Sequence, residues 1–171
     1  MLPPRSGETE KFMLEYGLAL GGGGTKGAYH LGVWQALKDM KINVTCITGT
    51  SIGAINGAII AQGDVDEAIS IWKNISMSNI LDTEGIENVT ENLFDSKNIF
   101  KIMSAAYKNN GLETAPLREL LNSVIDEKKL RNSKIKFGLS TYSLEDFREI
   151  EVFLEDIEEG KAVDYLMASS S

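Results

Sequence analysis

Residues 16–48 carry the pattern that most constrains the fold of this chain. The apolar run Tyr16–Leu20 ends in four glycines, which predicts a short strand entering a glycine turn. Residues 28–40 then place apolar side chains at helical spacing, and Val44–Thr48 is rich in β-branched residues. A strand, a helix and a second strand in this order form a βαβ unit, which favours a parallel sheet with a right-handed crossover. We therefore expect an α/β fold with a mostly parallel sheet flanked by helices.

Small residues follow the second strand at helical spacing, and they are Ala54, Gly57, Ala58 and Ala61. Such a face would let a helix lie close to the sheet. Further apolar stripes predict helices over residues 99–106, behind Pro116 and over 161–168. Residues 135–141 and 149–153 predict two more strands. The later part of the chain thus continues the alternation of helices and strands.

The second predicted strand runs into Gly49-Thr50-Ser51-Ile52-Gly53, which fits G-x-S-x-G. Five positions alone are a weak signal, but a nucleophile elbow requires this setting of strand, tight turn and helix. Glycine at positions 49 and 53 relieves the crowding in such a turn. Ser51 is therefore the candidate nucleophile, beside a helix N-terminus whose free N–H groups favour a developing negative charge.

The glycine turn reads Gly22-Gly23-Gly24-Thr25-Lys26-Gly27. Glycines let backbone N–H groups point into a concavity and approach a ligand closely. In an acyl hydrolase, the N–H groups of Gly22, Gly23 and Gly24 would hold the oxyanion of the tetrahedral intermediate. Lys26, followed by Gly27, would add positive charge nearby.

The same hexapeptide also fits G-x-G-x-x-G, the dinucleotide-binding fingerprint, and it lies between a predicted strand and a predicted helix. The acidic residue that would hold a ribose about 20 positions further on is missing. A Walker loop is excluded, because Lys26 is followed by glycine instead of serine or threonine. A dinucleotide-binding module therefore remains an alternative of a different class.

Together, the two motifs resemble those of the patatin-like phospholipase family, a G-G-G-x-[KR]-G oxyanion motif followed by a G-T-S-x-G elbow. They stand here in the family's order and at its spacing, and residues 28–33, 116–121, 137–141 and 168–170 also resemble its segments. The resemblance covers roughly residues 15–171. It implies a serine hydrolase that cleaves a lipid or other acyl ester through an acyl-enzyme, with transient contact at a membrane surface and with no cofactor or metal.

The resemblance also implies a Ser–Asp dyad whose aspartate lies in a D-G-[GA] motif. This sequence contains no Asp-Gly dipeptide, so we expect a patatin-like domain over residues 15–171 that is truncated before its end and nearly inactive. A Ser–acid–His order is impossible here, because the only histidine, His30, precedes Ser51. A patatin-like protein that binds lipid or a partner without turnover is the remaining alternative.

Composition excludes several other classes of function. The chain has 25 acidic and 17 basic residues and a net charge of −8, which argues against nucleic acid as a partner. With a single cysteine and a single histidine, it cannot build a disulfide framework, a cysteine-based metal site or a multi-histidine one. Cys46 stands in an apolar run, which predicts a buried core thiol.

The N-terminal residues and the lengths of the apolar runs indicate where in the cell the protein is expected. Residues 1–14 are too polar for a signal peptide and are expected to form a loose leader. No run approaches the roughly 18 apolar residues of a membrane span. We therefore expect a soluble, cytoplasmic protein whose membrane contact, if any, is peripheral.

Overall fold

The structure, a computed structural model, describes residues 14–74 and 115–170 of the chain. Within these ranges, the strands are β1 Glu15–Leu20, β2 Asn43–Thr50, β3 Lys136–Ser143 and β4 Arg148–Phe153. The α-helices are α1 Ala28–Asp39, α2 Ile52–Gln62, α3 Val65–Asn74, α4 Ala115–Val124, α5 Glu127–Arg131 and α6 Ala162–Ser170. Short 3-10 turns span Gly24–Gly27 and Leu154–Asp156. The expected α/β class is confirmed.

The strands form one mixed sheet in the order β1-β2-β3-β4. The first three strands are parallel, and β4 pairs antiparallel with β3 because only four residues, 144–147, connect the two. In this register Leu20 lies opposite Gly49, and Thr50 lies opposite Ser140. The carboxyl ends of β1 and β2 therefore meet at one edge of the sheet, and Ser140 of β3 stands beside them. Ligands in open α/β sheets commonly bind at such an edge.

Helix α2 packs closely against the sheet, as its small-residue face predicts. A Cβ on Gly57 would lie 3.0 Å from Ile47 Cγ2 and 3.2 Å from Phe137 Cε2. Ile47 is fully buried under this helix. The close approach fixes the beginning of α2, and with it Ser51, relative to the ends of the strands.

The opposite face of the sheet is less covered by the residues that the structure describes. It lines a groove that includes Ala19, Thr48, Glu151 and Phe153. Side chains alternate along a strand, so Cys46 points to this face while its neighbour Ile47 enters the core. The prediction of a fully buried thiol is therefore wrong, because Cys46 is half-buried.

The apolar stripe of α1 faces the core, with Leu37 packed against it. Leu31 and Trp34 enter the core, whereas Val33 and Met40 remain exposed. The helix predicted over residues 99–106 lies outside the described residues. In the part of the chain that the structure describes, no helix combines the length and the apolar character needed to cross a membrane.

Candidate active site

Ser51 occupies a sharp turn between β2 and α2. Its backbone has φ +54° and ψ −127°, a left-handed φ that residues other than glycine seldom adopt. Ser51 stands at the N-cap position of α2, yet its side chain makes no capping hydrogen bond. Serine is a preferred capping residue, yet the Ser51 Oγ makes no hydrogen bond to the N–H groups of the helix that follows it.

Two glycines make this turn sterically feasible. A Cβ on Gly53 would overlap the carbonyl oxygen of Leu20, and a Cβ on Gly49 would overlap the backbone of Gly53. These neighbours are backbone atoms, which cannot move aside as a flexible side chain can. Only glycine fits at either position, so the first turn of α2 lies directly against the ends of β1 and β2. Thr50 ends β2, and its Oγ1 lies 2.6 Å from Ser140 Oγ on β3.

The glycine turn after β1 lies beside Ser51. A Cβ built on Gly22 would be 3.4 Å from Ser51 Cβ and 3.6 Å from the carbonyl oxygen of Thr50. Gly23 and Gly24 have φ of +143° and +55°, so the chain turns here in a way that glycine permits. The amides of Gly22 and Gly23 donate to no other residue within the described ranges. The fold therefore places Gly22 of the glycine turn next to the Ser51 side chain.

A sequence profile described as patatin-like phospholipase matches residues 18–171 of this chain. The chain belongs to the patatin-like phospholipase family. An uncharacterized NTE family protein of Mycobacterium tuberculosis is 41% identical over 64 residues, which are 37% of this chain and 18% of that protein. The lysophospholipase NTE1 of Saccharomyces cerevisiae is 52% identical over 46 residues, 27% of this chain and 3% of that protein. This chain thus matches less than one fifth of the length of these relatives.

The solved structure of VipD from Legionella pneumophila has a similar fold. It superposes with a TM-score of 0.54 at 17% sequence identity, covering 90% of this chain and 41% of VipD. At this identity the likeness concerns the fold alone. The parallel strands and the helices around them are thus arranged as in a known protein structure.

The patatin-like glycine motif is anchored to α2 by a polar residue that the sequence analysis did not single out. Asn56 is buried, and its Nδ2 donates to the carbonyl oxygen of Gly27 at 2.9 Å. Its Oδ1 accepts from Trp72 Nε1 at 2.9 Å. Gly27 is buried, and a Cβ there would lie 2.6 Å from Ile52 Cγ1. Lys26 is exposed at the end of the same turn.

His30 belongs to this anchor and makes no hydrogen bond to Ser51. Its Nδ1 accepts from Asn56 Nδ2 at 3.2 Å, because an amide nitrogen can only donate. Burial lowers the pKa of His30 below its ordinary value. The structure therefore places a neutral imidazole against α2.

The described residues bring no acid–base partner to Ser51. Among them, no carboxylate or imidazole makes a hydrogen bond to its Oγ, and no three His, Cys, Asp or Glu side chains gather as metal ligands would. Their aspartates have other partners or lie exposed. Asp164, for example, pairs with Arg118 and Lys161, whose hydrogen bonds hold the pKa of its carboxyl below the usual range.

Ser169 is the second polar residue near Ser51 that the sequence analysis did not single out. Its Oγ accepts from the Ser51 N–H at 2.8 Å and donates to the carbonyl oxygen of Ser140 at 2.6 Å. Residues 168–170 were noted for their resemblance to a family segment, but no role followed from the pattern. The contact joins residues 118 positions apart, and only the folded chain shows it.

Proposed function

We propose that this chain carries the nucleophile and the oxyanion loop of a serine lipid acyl hydrolase, with Ser51 as the nucleophile. The observation that carries the proposal is the conformation of Ser51. It holds a strained φ of +54° at a helix N-terminus, and its hydroxyl leaves the capping bond unmade. Strain of this kind persists where the surroundings over-determine it, and it concentrates at functional sites. The membership in the patatin-like phospholipase family supports lipid esters as the substrate class.

The proposed chemistry is acyl transfer in two steps. Ser51 Oγ forms a bond to the ester carbonyl carbon while a base takes its proton. The carbonyl oxygen becomes an oxyanion, which the N–H groups of Gly22, Gly23 and Gly24 stabilise. The alcohol then leaves with a proton, and an acyl-enzyme remains. Water, deprotonated by the same base, attacks the acyl carbon. The bond from that carbon to Ser51 Oγ then breaks, the base returns the proton to Oγ, and the fatty acid is released.

The site geometry suits this division of roles. The Ser51 N–H is already bound to Ser169 Oγ, so it is not available as an oxyanion donor. The amides of Gly22 and Gly23 have no partner among the described residues, and the Cβ position of Gly22 lies 3.4 Å from Ser51 Cβ. The glycine turn is therefore the best-placed source of donors. Lys26, exposed on the flank of the motif, adds positive charge.

The base of the proposed dyad is an aspartate of an Asp-Gly-[Gly/Ala] motif, which this sequence does not contain. We accordingly propose a patatin-like domain over residues 15–171 that has no such base among these residues. Transient contact with a membrane surface would deliver the lipid substrate. Sedimentation with neutral phosphatidylcholine vesicles tests that contact, and a protein that stays in the supernatant would contradict it.

The function is tested by hydrolysis of a lysophospholipid and of a p-nitrophenyl ester by the full-length protein. We expect Ser51→Ala to lower kcat by about 10⁴ or more. Ser170→Ala is the matched control, because among the described residues Ser170 Oγ bonds only the carbonyl oxygen of Leu166 in its own helix. A wild-type protein that binds lipid without turnover would replace the proposal by the non-catalytic alternative. Binding of NAD in a calorimetric titration would favour the dinucleotide module.

A further inference from the structure

The Ser169 hydroxyl joins three elements at one point. It is buried on α6, with 8% of the residue exposed. It accepts from the Ser51 N–H of the elbow at 2.8 Å and donates to the Ser140 carbonyl oxygen of β3 at 2.6 Å. A serine hydroxyl has one proton to donate, so its direction is fixed by the bond to β3, and a lone pair is left for Ser51.

The hydrogen bond to Ser169 also restrains the backbone conformation of Ser51. The direction of the Ser51 N–H depends on the orientation of the peptide between Thr50 and Ser51, the same peptide that sets φ of Ser51. A hydrogen bond that fixes this N–H therefore also restrains the position of Ser51 Cβ and Oγ. A non-glycine residue at φ +54° is strained, and it persists only where its surroundings hold it.

We propose that Ser169 is a positioning residue for the nucleophile, and this inference rests on the proposed function of Ser51. Its hydroxyl holds the elbow peptide in the conformation that presents Oγ to the substrate. It touches neither the substrate nor the reacting atoms. Helix α6 thereby becomes part of the machinery of the active site, although Ser169 follows the nucleophile by 118 positions.

A purely structural role for Ser169 is the competing explanation, and Thr141 provides the control. Thr141 Oγ1 donates to the carbonyl oxygen of Ala168 at 2.7 Å, which also holds the end of α6 to β3 but does not contact Ser51. Thr141→Val therefore loosens the helix while the bond to the elbow remains. Ser170→Ala removes a hydroxyl one position further along the same helix.

The kinetic test compares Ser169→Ala with these two controls in the full-length protein, on the same p-nitrophenyl ester. We expect Ser169→Ala to lower kcat by about 10²-fold with KM nearly unchanged, because a misplacement of about 1 Å costs that much. Thr141→Val and Ser170→Ala should keep kcat within about threefold of wild type. Wild-type kcat in Ser169→Ala, or an equal loss in Thr141→Val, would overturn the proposal. If Ser169→Ala does not fold, Ser169→Cys is measured instead. Its thiol forms weaker hydrogen bonds, so its kcat must lie between the wild-type value and the loss of about 10²-fold expected for Ser169→Ala.

A second readout does not depend on turnover. In amide hydrogen exchange, the Ser51 N–H should be protected in the wild type and in Thr141→Val, and it should exchange at least tenfold faster in Ser169→Ala. Unchanged protection in Ser169→Ala would contradict the proposal even if Ser51 is the nucleophile. A different outcome separates the two claims. If Ser169→Ala speeds the exchange but Ser51→Ala is as active as wild type, the contact between Ser169 and the elbow stands and the proposed function of Ser51 is wrong.

Discussion

Ser51 combines a backbone conformation that is costly with a hydroxyl that is left unused by its helix. Gly49 and Gly53 permit that conformation, because any side chain at either position would overlap backbone atoms. Ser169 restrains it from the other side through the Ser51 N–H. At the scale of single residues, the elbow is thus held by close backbone packing and by one buried hydroxyl.

Gly23 offers a test of the glycine turn at this scale. With φ of +143°, Gly23 has a conformation that alanine adopts only under strain, so Gly23→Ala should shift the N–H groups away from Ser51. Loss of one oxyanion donor typically costs about 10²–10³ in kcat. We expect a loss of that size with a smaller change in KM, measured by steady-state ester hydrolysis.

Gly32→Ala is the control for that substitution. Gly32 lies in α1, and a Cβ there would meet no atom within 4 Å beyond its own helix in the described ranges. Alanine should therefore leave kcat unchanged and stabilise the helix by about 0.5–1 kcal/mol. Unchanged kcat in Gly23→Ala would show that the turn does not serve the transition state.

His30 should be dispensable for chemistry. Its ring is bonded to Asn56 and not to Ser51, so His30→Gln should retain most of the hydrolytic activity. Burial lowers the pKa of His30, so its contribution to stability is present above the unfolded pKa and is lost as the pH falls through the folded one. Between about pH 7.5 and pH 5, the free energy of unfolding measured in urea should therefore fall more in the wild type than in His30→Gln. An activity loss of about 10⁴ in His30→Gln would mean that it acts as a triad base.

At the scale of elements, α6 is held at both ends. Near its end, Thr141 and Ser169 fix it to β3 and to the elbow. At its beginning, Glu127 of α5 accepts hydrogen bonds from the N–H groups of Gly160 and Ala162 at 2.9 and 3.2 Å. The Glu127 carboxylate also pairs with Arg131. Loss of the Glu127 contacts at the beginning of α6 should therefore lower the stability of the whole helix.

Glu127→Gln tests this anchor. Burial alone would raise the pKa of Glu127, but the hydrogen bonds from Arg131 and from the two N–H groups outweigh it and lower the pKa. We expect Glu127→Gln to lower the free energy of unfolding by about 1–3 kcal/mol, because a charged acceptor is lost. Urea unfolding at neutral pH measures this, with the exposed Glu119→Gln as control. The difference from wild type should shrink as the pH falls through the lowered pKa, and equal stability of the two variants at neutral pH would contradict the account.

The elements themselves were largely predictable from the sequence, and the contacts between them were not. The spacing of apolar residues and the glycines of the turns predicted β1, α1, β2 and the turn at Ser51, because those signals are local. Strand ends differed by a few residues, as at β2, which continues to Thr50. Cys46 was misplaced because its apolar run did not indicate which face of β2 it occupies. Ser169 and Asn56 act across long stretches of chain, and no local pattern marks such contacts.

At the scale of the whole molecule, the described residues include the proposed nucleophile and its glycine turn, and none of them bonds Ser51 Oγ as a base would. The sequence lacks the Asp-Gly dipeptide that the proposed dyad requires. We therefore expect the 171-residue chain to hydrolyse a p-nitrophenyl ester far more slowly than a chain that includes such a motif. Oxyanion donors alone would leave some residual catalysis. Comparable kcat/KM for the two would require a base among the residues of this sequence.

The most direct test of the central claim is the identity of the residue that a fluorophosphonate modifies in the full-length protein. Tandem mass spectrometry of the labelled protein should place the phosphonyl group on Ser51, and Ser51→Ala should abolish both the label and the esterase activity. A wild-type protein that hydrolyses lipid esters while the label lies on another serine, or persists in Ser51→Ala, would contradict the assignment of the nucleophile.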